Sequence, residues 1–145
     1  MTAVVIDASV AIKWVVEEPG TDAALTIKRE SILVAPDLLV SECANILWKK
    51  TRRNELTRKE ADLACRLLEG APIELVPTRL LLRATTRLAV ALDHPAYDCV
   101  YLALARERRC RFVTADERLL RKIETMPVPG LRRHVRPLLS KLSPS

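Results

Sequence analysis

The apolar positions of this chain fall into short β-branched runs separated by longer stretches of helical period. Residues 3–6 (AVVI), 32–35 (ILVA), 73–76 (IELV) and 110–113 (CRFV) are four such runs, and each predicts a buried strand. The intervening segments 9–18, 21–30, 38–53, 57–69, 78–92, 96–108 and 116–124 predict helices. Their ends are marked by breakers: Pro19-Gly20 stops the first, Gly70 the fourth, and His94-Pro95 separates the fifth from the sixth. Asp37 stands where it would cap the third, and Thr57-Arg58-Lys59-Glu60 fits a capping box for the fourth. The segment MPVPG (126–130) closes the last helix, and residues 134–138 predict a final edge strand.

Strands that alternate with helices imply βαβ units. The expected fold is therefore an α/β three-layer sandwich, with a short, mostly parallel central sheet and helices on both faces. A chain of 145 residues is long enough for one core. One domain over residues 1–140 is expected, with 141–145 a flexible tail. No internal repeat or low-complexity segment is present.

Composition narrows the class. Hydrophobic residues make up 49% but aromatics only 3%, so the core must be built from Leu, Val, Ile and Ala. No apolar run reaches the roughly 18 residues of a membrane span, and no basic n-region precedes the first run. Cys43, Cys65, Cys99 and Cys110 are scattered with no C-x-x-C pair, which argues against a disulfide framework or a zinc site. A reduced, cytoplasmic protein with no membrane association is expected. The net charge of +6 attracts polyanions, of which nucleic acid is the commonest.

The acids carry the chemistry. Asp7 lies between two apolar runs, after the first strand; it serves equally as a helix cap or as a ligand. Asp116 follows the fourth strand, where Thr114-Ala115-Asp116-Glu117 also matches a capping box. Open α/β sheets bind ligands at the carboxyl ends of their strands, so both acids fall where a site is expected. Asp98, in AYDCVYLALA, and Glu42, in LLVSECANILW, sit in helices that are apolar nearly all round. A carboxylate in such surroundings is costly unless a cation or several donors meet it. Asp22 and Asp37 read as helix-start residues, Asp62 and Glu69 as surface charges, and Asp93 as a residue before a turn. Four crowded carboxylates need a cation, and oxygen-only ligands select a hard one, Mg²⁺ or Mn²⁺. Such a site suits metal-assisted hydrolysis of a phosphodiester.

Four stretches then occur together: V-I-D-A-S (5–9), P-x-x-x-x-x-E (36–42), Y-D-x-x-Y-x-A-L-A (97–105) and F-V-T-A-D-x-x-L (112–119). In this order and at this length the chain resembles the PIN domain over residues 3 to 138, and within it the VapC toxins of toxin–antitoxin pairs. The resemblance implies a PIN-like fold and a Mg²⁺- or Mn²⁺-dependent endoribonuclease whose acids are Asp7, Glu42, Asp98 and Asp116. It also implies supporting roles for Ser9, Thr114 and Asn45, an RNA substrate, a homodimer, and a cognate VapB-like antitoxin seated over the site. The HPAYD turn (94–98) departs from the apolar or Ser-containing turn of the family.

Rival readings are weaker. A phosphatase using Asp7 as nucleophile wants D-x-D, and Ser9 occupies the second position. A receiver domain wants an adjacent acidic pair that Val4-Val5-Ile6 does not supply. A metal-free ribonuclease needs two imidazoles; His94 reads as a turn residue and His134 as part of a basic tail. Such an enzyme would survive EDTA. The remaining alternative is a non-catalytic or antitoxin-silenced RNA- or protein-binding module on the same fold; its mark would be a missing acid, and none is missing.

Overall fold

The computed structural model of the chain describes residues 1–126, 128 and 130–139. The tail expected at 141–145, and two prolines of the MPVPG segment, lie outside the described residues. The described residues form five strands: β1 (Ala3–Ile6), β2 (Ile32–Pro36), β3 (Ile73–Val76), β4 (Arg111–Thr114) and β5 (Val135–Pro137). They form one sheet in the order β3-β2-β1-β4-β5, and every pairing is parallel. The helices are α1 (Ala8–Ala11), α2 (Thr21–Glu30), α3 (Leu38–Arg52), α4 (Arg58–Glu69), α5 (Leu82–Leu92), α6 (Ala96–Arg108) and α7 (Glu117–Thr125).

The period of two along each strand sorts the core into layers. Val5, Val34 and Phe112 pack with Leu88, Leu102, Leu104 and Leu119 in one cluster. Their neighbours Val4, Ile6, Leu33, Ala35 and Val113 pack with Val10, Ala24, Leu39, Cys43 and Leu47 in the other. The sheet is thus covered on both faces, in three layers. Full burial of side chains such as Ile6, Phe112 and Val113 stabilises by about 1.5–3 kcal/mol each. No described helix is long and apolar enough to cross a membrane.

Topology fixes where a site can form. From β1 the chain steps through β2 to β3 on one side, then returns to place β4 on the other side of β1. The strand order reverses between β1 and β4, which opens a crevice beyond their carboxyl ends. Residues 7–9 leave β1 there and residues 115–116 leave β4.

Several local expectations are corrected. The helix expected over 9–18 is only α1 followed by a 3₁₀ turn, Ile12–Trp14. Contacts with α2 turn the chain away: Trp14 Nε1 donates to the Ala24 carbonyl at 2.8 Å, and the Glu18 amide donates to Thr21 Oγ1 at 3.0 Å. Glu18 also pairs with Lys13 and Lys50, each at 3.1 Å. The helix expected from residue 78 begins as a 3₁₀ turn, Thr78–Leu81. Asp37 does not cap α3 with its side chain; its Oδ1 accepts from the Thr78 amide at 3.1 Å instead. The capping box at α4 is present in full: Thr57 Oγ1 accepts from the Glu60 amide at 3.1 Å, and Glu60 accepts from the Thr57 amide at 2.9 Å. Thr57→Ala is therefore expected to lower stability by about 1 kcal/mol, measured by urea denaturation, without altering activity.

Candidate active site

Asp7 is where the fold ties its two central strands together. It is 8% exposed, and all its partners are donors. Oδ1 accepts from Ser9 Oγ at 2.5 Å and from the Val10 amide at 3.3 Å; Oδ2 accepts from Thr114 Oγ1 at 2.5 Å. Ser9 Oγ in turn accepts from the Ala115 amide at 2.9 Å, and Thr114 Oγ1 from the Asp116 amide at 3.1 Å. Asp7 does cap α1, yet a cap needs one bond and this carboxylate takes three. Burial pushes its carboxyl up to about 6, against the lowering effect of the Ser9, Thr114 and Val10 bonds, with a small further push from the charge on Glu42.

The other acids reach the same end of the sheet from different elements. Glu42 projects from α3 and is half-buried; Tyr101 Oη of α6 donates to its Oε1. Burial raises its carboxyl above the usual range; the Tyr101 bond opposes this, while the charges of Asp98 and Asp116 add to it. Asp116 is exposed at the start of α7, with Oδ1 accepting from the Leu119 amide at 3.1 Å. The capping box expected over 114–117 is not formed: Asp116 is itself the cap, and Thr114 turns to Asp7.

Asp98 corrects the sequence reading most. It is not buried among apolar residues, because it lies in the first turn of α6, where its side chain is 43% exposed. Its partner is His94, whose side chain is 7% exposed and whose Nε2 lies 2.8 Å from Asp98 Oδ2. His94 is therefore more than a turn residue. His134 is half-buried, with Nδ1 3.4 Å from the Cys110 carbonyl. Asn45 is exposed on α3 and makes no side-chain hydrogen bond to the described residues. Asp7, Ser9 and Thr114 are thus joined directly, Glu42 feels the charges of Asp98 and Asp116 and itself acts on Asp7, and Asn45 stands apart.

The donor set suits a hard divalent cation. Every candidate ligand is a carboxylate oxygen, and no Lys or Arg among the described residues pairs with any of the four acids. Among the described residues, no three His, Cys, Asp or Glu side chains already stand close enough together to hold a metal ion.

The sequence profile of the PIN domain matches residues 4–124. The chain belongs to the PIN-domain family. Among relatives, this PIN domain is 30% identical over 131 residues to ribonuclease VapC3 of Pyrobaculum aerophilum, covering 86% of this chain and 98% of that protein. Its fold is that of PAE2754 from Pyrobaculum aerophilum, with a TM-score of 0.62 at 22% identity over 84% of this chain and 87% of that one. It is also that of VapC20 from Mycobacterium tuberculosis, described as a sarcin-ricin loop cleaving toxin, with a TM-score of 0.57 at 12% identity over 86% of this chain and all (100%) of that one.

Two residues of the site were not singled out in the sequence. Tyr101 carried a signal: a phenol in an otherwise apolar helix needs a partner for its hydroxyl, and it stands one turn after Asp98. His94 carried only its spacing of four from Asp98.

Proposed function

We propose that this PIN domain is a Mg²⁺- or Mn²⁺-dependent endoribonuclease and the toxin of a toxin–antitoxin pair. What supports the reading is the electrostatic link of Glu42 to Asp7, Asp98 and Asp116, in a chain that aligns with ribonuclease VapC3 over 98% of that protein. Asp7, Glu42, Asp98 and Asp116 would hold the cation. When bound, it supplies charge to offset the phosphate and lowers the pKa of water.

The protein's own part is positional. Ser9 and Thr114 fix the Asp7 carboxylate between the two strands, and the Val10 amide sets its rotation. Asn45 and Lys49 follow Glu42 by one and two turns on α3, both exposed, and would meet the RNA backbone. The net charge of +6 draws RNA toward the surface. A second copy of the chain and a small VapB-like antitoxin are the protein partners that the reading implies.

The toxin assignment is tested by expression in a bacterial host without an antitoxin. Wild type is expected to arrest growth within a generation or so, and Asp116→Asn to relieve the arrest at equal protein level. Unimpaired growth with soluble, folded wild-type protein would overturn it.

A further inference from the structure

Three of the four acids share a feature that their role as ligands does not require. Glu42 has Oε1 bonded by Tyr101, Asp98 has Oδ2 bonded by His94, and Asp116 has Oδ1 bonded by the Leu119 amide. In each, the second oxygen has no hydrogen-bond partner among the described residues. For Asp116 the donor is the backbone of its own helix start. For Glu42 and Asp98 it is a side chain that had to be placed for the purpose.

Both donors are held rigidly. Tyr101 is 3% exposed, and its ring stacks on Phe112 with centroids 5.4 Å apart and 16° between planes. Phe112 is itself fully buried in β4, so the phenol has one direction in which to project. It reaches from α6 across to α3, between residues 59 apart in sequence. His94 is set by the left-handed turn at Asp93, with φ of 50°, a conformation that Asp tolerates better than most residues. Its amide donates to the Ala89 carbonyl at 3.1 Å and its carbonyl accepts from Cys99 Sγ at 3.8 Å, so its backbone is fixed on both sides.

We propose that Tyr101 and His94 are positioning residues: each pins one oxygen of a ligand carboxylate, so that the other oxygen faces the cation in a single orientation. The proposal rests on the cation-dependent reading above and adds residues that do not themselves touch metal or RNA. A Glu side chain has several rotatable bonds, and fixing them before the cation arrives removes a cost from binding. Outer partners of this kind usually control metal affinity by about 10- to 100-fold. A buried phenol and a buried imidazole need partners in any case. Their choice of two acids at the site, rather than carbonyls, is what separates an orienting role from simple satisfaction.

The test titrates Mg²⁺, and separately Mn²⁺, into RNA-free protein and follows the melting temperature, with cleavage measured in parallel at each metal concentration. Tyr101→Phe keeps the ring on Phe112 and removes one oxygen. His94→Leu removes the donor, and His94→Gln restores one. In Tyr101→Phe and His94→Leu the half-saturating metal concentration is expected to rise about tenfold or more, with cleavage recovering as metal is raised. His94→Gln should recover most of the loss. Lowered metal-free stability with an unchanged half-saturation point would make both residues structural and overturn the proposal. If His94→Leu does not fold, Tyr101→Phe and His94→Gln decide. A wild type that neither binds metal nor cleaves RNA would instead remove the underlying reading, and this proposal with it.

Discussion

Asp7→Asn is expected to silence cleavage while making the metal-free protein more stable. Asn caps a helix about as well as Asp, so α1 keeps its start. Its amide can still meet Thr114 and its carbonyl Ser9, so the tie between β1 and β4 persists. What disappears is a charge buried to 8% exposure with only neutral donors around it. The folded carboxyl holds its proton up to about 6, against 3.8 unfolded. Between those values the folded state binds more protons, so the contribution of Asp7 to stability is full below about pH 4 and is lost as pH rises through about 6. At pH 7.5 the variant should therefore be more stable than wild type by on the order of 1–3 kcal/mol, and the gap should close by pH 4. For a domain of this size that is about 2–4 °C per kcal/mol. Activity should move the other way, falling by about 100-fold or more, because a cation's contribution of several kcal/mol is weakened. Urea denaturation at several pH values, beside RNA cleavage at pH 7.5, reads both halves. A variant that is less stable and still cleaves at the wild-type rate would make Asp7 a cap and nothing more.

Asp98→Asn is expected to lose activity to a similar degree with almost no change in stability. The contrast with Asp7 follows from exposure, since the Asp98 side chain is 43% exposed and pays little for its charge. Asn can accept from His94 Nε2 as Asp does, so the buried imidazole keeps a partner. A melting temperature within about 2 °C of wild type is expected. A drop of several degrees, with cleavage intact, would mark the His94–Asp98 pair as a structural tie and remove Asp98 from the site.

Much of the fold was legible because each strand is a short β-branched run between breakers. β1 and β3 appear at the expected residues, β2 and β4 within one residue. The alternation of elements was enough for a parallel sheet. The strand order was not legible, since nothing local in residues 111–114 says that β4 pairs with β1 rather than with β3. That single non-sequential pairing is what brings Asp7 beside Thr114. The helix after Asp7 was overestimated because periodicity ignores partners arriving from elsewhere, here the Ala24 carbonyl and the Thr21 side chain of α2.

At the site, Asp7, Glu42 and Asp98 were legible as conflicts between a charge and its apolar surroundings, and Asp116 by its place after the fourth strand. Asp7 is indeed buried and Glu42 half-buried. For Asp98 the sequence reading counted Leu102 and Ala105, one and two turns later, but the turn before Asp98 does not exist, and that side is open to water. Ser9 and Thr114 were assigned by resemblance, and their bonds to Asp7 give them a physical role. The His94 contact depends on a left-handed residue at Asp93, which no spacing rule signals.

In the function proposed above, these acids act through a divalent cation to hydrolyse RNA. The most direct measurement incubates end-labelled RNA with the purified chain in Mg²⁺, in Mn²⁺ and in excess EDTA, and identifies the ends of any products. Cleavage is expected with either metal and none in EDTA, with 5′-phosphate and 3′-hydroxyl ends, because water rather than the ribose 2′-oxygen attacks. Cleavage that persists in EDTA, or products ending in 2′,3′-cyclic phosphate, would contradict it.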